Sequence, residues 1–131
     1  MMLNFTKNQP KVISGIFVVD NQRKIVSLNR KFIEIWNINR EIIDNRDEQL
    51  VLMFVSAYFD DPKKFRENVN DIYKNTTLDS LDNLHLKDGR VLVRYSYPLW
   101  MREKYIGRVW EYCELTENNL EVRYAASGVT K

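Results

Sequence analysis

Few side chains in this sequence could do covalent or metal chemistry, and their spacing keeps them apart. His85 is the only histidine and Cys113 the only cysteine. A zinc site is completed by several His, Cys or carboxylate donors, so this pair would need carboxylates beside it. A lone cysteine also excludes an internal disulfide and a Cys-rich metal cluster. A Ser-His-Asp relay needs its imidazole between nucleophile and acid. His85 lies instead in a strand-like stretch, where a surface or cross-strand contact is its expected role. Asp60 and Asp61 precede Pro62, which is the pattern of a helix cap and not of an acid/base pair. Glycines at 15, 89, 107 and 128 are too dispersed to cradle a phosphate. What remains is recognition chemistry. Trp36, Phe54, Tyr73, Trp110 and Tyr112 could line a cavity between helices and a curved sheet, or could fill the core. In KDGRVLVRYSYP, Arg94 and Ser96 add polar groups on one parity of a period-two run.

The elements that must position these groups follow from periodicity and punctuation. Residues 1–14 are polar with scattered apolar anchors and read as an arm or a short helix. GIFVVD and IVSL are strands joined by the NQRK turn, a hairpin. Asn29 is placed to cap a helix carrying Phe32, Ile33, Ile35 and Trp36, and residues 37–47 read as loop or a short helical turn. EQLVLMFVSAYF is apolar enough for a strand or a buried helix, and its length favours helix. Asp61 and Pro62 open a helix whose Phe65, Val69, Ile72 and Tyr73 form one stripe. Strands are then expected over 78–86, 90–99 and 105–115, joined by the Asp88-Gly89 turn and a longer WMREK connection. Pro98, without an N–H, should stop the ladder or confine it to an edge. Residues 118–131 read as a tail or the start of a linker. The layout is α+β: a five-stranded antiparallel sheet with helices between strands 2 and 3 covering one face.

A length of 131 residues suits one domain with a real core. The net charge of +2 is too small to call for nucleic acid or a membrane surface as partner. Residues 87–108 hold six basic and two acidic side chains, a local +4 that a solvated sheet surface accounts for. MMLNFTKNQPK lacks the apolar centre of a signal peptide, and no stretch approaches a membrane span, so a cytoplasmic location is expected.

Three segments carry a family resemblance. GIFVVDNQRKIVSLNRKFIEIWNI, residues 15–38, resembles the opening hairpin and first helix of a PAS domain. LKDGRVLVRYSYPL, residues 86–99, resembles that family's Asp-Gly hairpin, and IGRVWEYCELTE, residues 106–117, its final strand and terminal signature. The phrasing is similar to PAS modules of bacterial sensor kinases and cyclic-dinucleotide signalling proteins. The resemblance places the domain at 15–117. It implies a non-catalytic sensory module that binds a small molecule or a partner and relays its state to an adjoining output domain. Glu114 and Thr116 are then the signal-relay candidates, with Glu114-Leu115-Thr116 standing where the family usually has Asp-Ile-Thr. Flavin-binding members carry a reactive cysteine where residues 56–66 have none, and haem-binding members a histidine where residues 62–75 have none. The cofactor expected is thus none, or an unidentified small molecule.

The resemblance also bears on which face of the 90–99 strand looks inward. Apolar content alone would turn Val91, Val93, Tyr95 and Tyr97 toward the helices. The resemblance turns Leu84, Arg94 and Tyr112 inward, and with them Leu86, Leu92, Ser96 and Trp110. Leu84, Arg94, Ser96, Trp110 and Tyr112, with Phe32, Trp36, Phe54, Val69, Ile72 and Tyr73 from the helices, make up the candidate lining. Val93, Tyr95, Val109 and Cys113 would then face outward on a surface too apolar for water. Such a face should be covered by the N-terminal arm or a second subunit, a homodimer. An enzyme on this frame would need a buried carboxylate base, and Glu111 points away in this register. The chain stops fifteen residues after Thr116, with no kinase or cyclase segment, so an excised fragment or a stand-alone adaptor is expected. A ligand-free interaction and dimerisation module is the competing expectation.

Overall fold

In the computed structural model, which describes residues 13–116, the first strand β1 (Gly15–Asp20) turns back into β2 (Ile25–Leu28). Asp20 builds that turn, its carboxylate accepting the backbone N–H groups of Gln22 and Lys24 at 2.8 and 2.9 Å. The expected arm and tail lie outside the described residues, apart from Ile13 and Ser14.

Asn29 joins the hairpin to α1 (Arg30–Trp36). Its side chain accepts from the Phe32 N–H as helix cap and from the Ile16 N–H of β1, and donates to the Ser14 carbonyl. The helix lies so close to β1 that a Cβ at Gly15 would meet the Phe32 Cα at 2.8 Å. Asn39 caps a short α2 (Arg40–Asp44) in the stretch expected as loop or helical turn. The segment open between strand and helix is α3 (Glu48–Ser56), capped by Asp47, with Val51, Leu52 and Val55 buried on one side. Asp61 and Pro62 start α4 (Pro62–Lys74), whose Phe65, Val69 and Tyr73 are buried at i, i+4 and i+8.

The remaining strands are β3 (Ser80–His85), β4 (Val91–Met101) and β5 (Lys104–Glu114). All pairings are antiparallel, in the order β2-β1-β5-β4-β3, and the helices between β2 and β3 cover one face. The last hairpin is tighter than expected from WMREK. Arg102 and Glu103 both take positive φ, 50° and 69°, which lets a two-residue turn close it and extends both strands. Pro98 sits mid-strand without breaking the ladder because β3 ends earlier, its last pair being Ser80 with Ser96. Beyond that point β4 is an edge on that side, where no N–H is required. Strand β3 is shorter than expected: Asn75–Leu78 forms a turn and Leu78 is exposed.

Candidate functional site

The sheet's register decides what lies beneath the helices. Across β4 and β5, Leu92 pairs with Glu114, Arg94 with Tyr112 and Ser96 with Trp110. Leu92, Arg94 and Ser96 are each 0 % exposed, whereas Tyr95 is exposed. The helix-side face is thus the one that the family resemblance gives and simple apolar alternation does not. Val93, Val109 and Cys113 lie on the opposite face and are nonetheless buried.

Arg94 reaches from β4 toward α4 and the edge strand. Its Nη2 donates to Asn68 Oδ1 and to Asp82 Oδ2, both at 2.9 Å, and its guanidinium lies 5.5 Å from the Trp110 ring centre and 5.8 Å from that of Phe65. Asp82 is partly open to solvent, so only one member of the ion pair is fully desolvated. Nε and Nη1 of Arg94 have no acceptor in bonding geometry. Burial pushes the neighbouring Tyr112 hydroxyl up to about 12, against the opposing pull of the Arg94 charge.

A second arginine was not singled out by the sequence. Arg108 is fully buried, donating to Ser96 Oγ at 2.7 Å and to the Asn75 and Leu78 carbonyls. It thereby ties β5 to the end of α4 and the following turn. Desolvation lowers its pKa. Its signal was available: it shares the parity of Trp110 and Tyr112. A cleft of about 190 Å³ beside it is lined by Asp71, Ile72, Asn75, Leu78, Asp79 and Ser80.

Glu48 and Arg23 form a third polar group, also unforeseen. Glu48 opens α3 yet is only 3 % exposed. Arg23, in the β1–β2 turn, meets its Oε1 at 2.7 and 2.9 Å, donates to Asn70 Oδ1, and stacks 3.9 Å from the Tyr73 ring centre. The Trp110 indole donates to the Tyr73 hydroxyl at 3.0 Å. Desolvation raises the Glu48 pKa, with the Arg23 charge and hydrogen bonds from Arg23 and Tyr73 opposing it. Burial, reinforced by the Glu48 charge, pushes the Tyr73 hydroxyl far up. Long-range pairs of this kind leave no local sequence pattern.

Beside Glu48, Tyr73 and Trp110 is a cavity of about 20 Å³, room for roughly one water. Of the sequence candidates, Phe32, Val69, Tyr73, Trp110 and Tyr112 line it, together with Glu48, Phe17 and Phe65. Trp36 is buried in the adjoining aromatic cluster, 5.4 Å centre to centre from both Tyr58 and Tyr112, with its indole N–H unpartnered. Phe54 packs half-buried against that cluster, and Ile72 lines the cleft beside Arg108. Leu84 is buried in the same core opposite Leu92, and Ser96 bonds the Val109 carbonyl and Arg108. Glu114 ends β5 half-buried on the inner parity, and Thr116 is exposed. Among the described residues no group of three or more His, Cys, Asp or Glu is placed to hold a metal ion. No described helix is long and apolar enough to cross a membrane.

No family model and no curated protein matches the sequence. The fold does match known structures. The PAS domain of Bordetella pertussis BvgS superposes with a TM-score of 0.61 at 12% identity, covering 89% of this chain and 87% of that one. The sensor region of a sensor histidine kinase gives 0.60 at 11% identity over 79% of this chain and 39% of that one. A light-oxygen-voltage domain studied with a flavin analogue gives 0.54 at 15% identity, covering 99% and 94%. The chain therefore has the PAS fold.

Proposed function

We propose that this chain is a sensory or regulatory module of a cytoplasmic signal-transduction protein, binding a small molecule on the inner face of its sheet. Its state would pass to an adjoining output domain through the end of β5, where Glu114 and Thr116 stand. The observation that carries this reading is the charged inner face. Arg94 is buried against the Phe65 and Trp110 rings, and Glu48 is buried at the wall of the cavity that both rings also line, whereas a core serving stability alone is as well or better filled by apolar groups. Native mass spectrometry of the protein purified from its own host, with thermal shifts across a metabolite library, tests it. A bound mass, or a rise in Tm that Tyr112→Phe or Arg94→Met diminishes, is the expected result. No bound mass and no shift would overturn the ligand-binding reading.

The small size of that cavity favours a second reading, since ligand pockets run to about 300–1,000 Å³. On it the module is ligand-free and serves interaction and homodimerisation through the outer sheet face with the N-terminal arm. Light scattering decides: a monomer at high concentration, unchanged by deletion of residues 1–13, would dispose of it.

A further inference from the structure

We propose that Glu48, Asn70 and Tyr73 form a cation site in which the protein's own Arg23 is the resident occupant. The ligand that competes for it is a small guanidine or primary amine with a short apolar body. This rests on the reading above and deepens it, because it takes Glu48 and the cavity named there and assigns them a ligand of stated charge.

Three observations carry it. The first is the niche itself. It offers a guanidinium a buried carboxylate at 2.7–2.9 Å, an amide oxygen at 2.9 Å and an aromatic face at 3.9 Å. Those are the groups that recognise an organic cation: a charged acceptor, a directional acceptor and a ring quadrupole. The second is the position of the occupant. Arg23 comes from a surface turn and its side chain remains 24% exposed, against 4% for Glu48. Its backbone has φ 61°, a left-handed conformation that glycine or asparagine adopts at less cost. The residue is therefore matched to its side-chain contacts and not to its turn. Its backbone is held separately, the Arg23 carbonyl accepting the Glu48 N–H at 3.3 Å, so the side chain can withdraw without unpinning the turn. The third is what lies behind the niche. Glu48 and Tyr73 also line the apolar cavity with Val51, Leu52 and Phe17, whose roughly 20 Å³ takes a methyl-sized end, and a longer body follows the path that the Arg23 stem vacates.

A ligand that must displace a seated side chain binds more weakly by the fraction of time the site is open. Removing Arg23 should therefore tighten binding by about tenfold or more. Methylguanidine and n-butylguanidine are the probes, titrated into wild type, Arg23→Ala and Arg23→Ala/Glu48→Gln against a sodium chloride control. The readout is the indole N–H resonance of Trp110, which is bonded to the Tyr73 hydroxyl, with that of Trp100, bonded to the Thr76 carbonyl, as internal control.

The expected result is a saturable shift of the Trp110 signal in Arg23→Ala and the same end point in wild type at higher concentration. The double variant should give no shift, and n-butylguanidine should outcompete methylguanidine. Should Arg23→Ala fail to fold unaided, its refolding by millimolar methylguanidine supports the site. Failure of that rescue, with no response in Arg23→Gln, overturns it. Equal binding to the Glu48→Gln double variant, or no wild-type response far above the variant's midpoint, also overturns it. None of these outcomes involves Arg94, so this site can fail while the sensory reading stands, or the reverse.

Discussion

The two halves of the sheet's inner face are built on different physics. Beneath α1 and α3 the contacts are aromatic and aliphatic: Phe17 stacks on Phe32 at 4.7 Å, Trp36 meets Tyr112 edge-on, and Leu52 and Val55 close over them. Toward β3 and α4 the same face presents Arg94, Ser96, Arg108 and Asp82, held by directed hydrogen bonds in which Asn68 of α4 takes part. In the first half stability comes from area removed from water, which tolerates small errors of geometry. In the second it depends on each donor finding its acceptor, because a buried charge left alone is costly. One half should therefore respond to loss of volume and the other to loss of a partner.

The largest expected effect is in the aromatic half. Phe32→Ala removes a ring at the contact of α1, β1 and β5 and should cost about 3–5 kcal/mol, read as the shift in urea midpoint at constant m. A loss under about 1 kcal/mol would mean that the cluster collapses to fill the space, and the contrast between halves would weaken.

The halves also differ in how far they could be read from the sequence. The aromatic half announces itself, Phe32 and Trp36 repeating at helical spacing behind Asn29, which caps as its type requires, and the apolar stripe of α4, Phe65 with Val69 and Tyr73 behind Asp61, is as plain. The polar half hides because hydropathy ranks Val91, Val93, Tyr95 and Tyr97 above Leu92, Arg94 and Ser96, and so points the strand the wrong way. Only the resemblance to a PAS domain supplied the register seen here. Arg108 could have been found by extending the parity of Trp110 and Tyr112. The Glu48–Arg23 pair could not, since nothing local couples a turn residue to the first position of a helix 25 residues later.

A smaller effect is expected from Asp82→Ala. The variant deletes almost no core volume but leaves Arg94 with Asn68 as its remaining hydrogen-bond acceptor. Because Asp82 is 41% exposed, the pair is partly screened, and the loss should be about 1–2 kcal/mol, below that of a fully buried pair. An unchanged urea midpoint would show that Arg94 finds solvent or another acceptor, which removes the premise of the polar half.

The Glu48 carboxyl gives the contrast a pH axis. Arg23, Tyr73 and Asp47 act on it, and desolvation leaves its folded pKa above the ordinary carboxylate range. In the window between unfolded and folded values the native state holds the extra proton, so this group's contribution to stability falls as pH rises and is recovered on acidification. The slope from this one group cannot exceed about 1.4 kcal/mol per pH unit. Urea midpoints of wild type and Glu48→Gln across that window should converge at its low end and separate with increasing pH, wild type being the less stable. The reverse order would mean that Arg23 outweighs burial.

The smallest change is expected from Arg94→Met, and it tests the comparison most closely because it removes a charge while keeping much of the volume. Taking a guanidinium out of water costs several kcal/mol, which one half-screened carboxylate and one amide offset only in part. Deleting both the cost and the gain should leave stability within about 1 kcal/mol of wild type, with either sign. The decisive measurement is the double variant. If Asp82→Ala destabilises by stranding the Arg94 charge, then Asp82→Ala/Arg94→Met has no charge to strand, and its midpoint should return to that of Arg94→Met alone, a coupling of roughly 1 kcal/mol or more. Additive losses would instead mean that Asp82 stabilises through β3 itself, by its bond from Ser80, and that Arg94 is held by packing between Phe65 and Trp110. The polar half would then follow the same rule as the aromatic one.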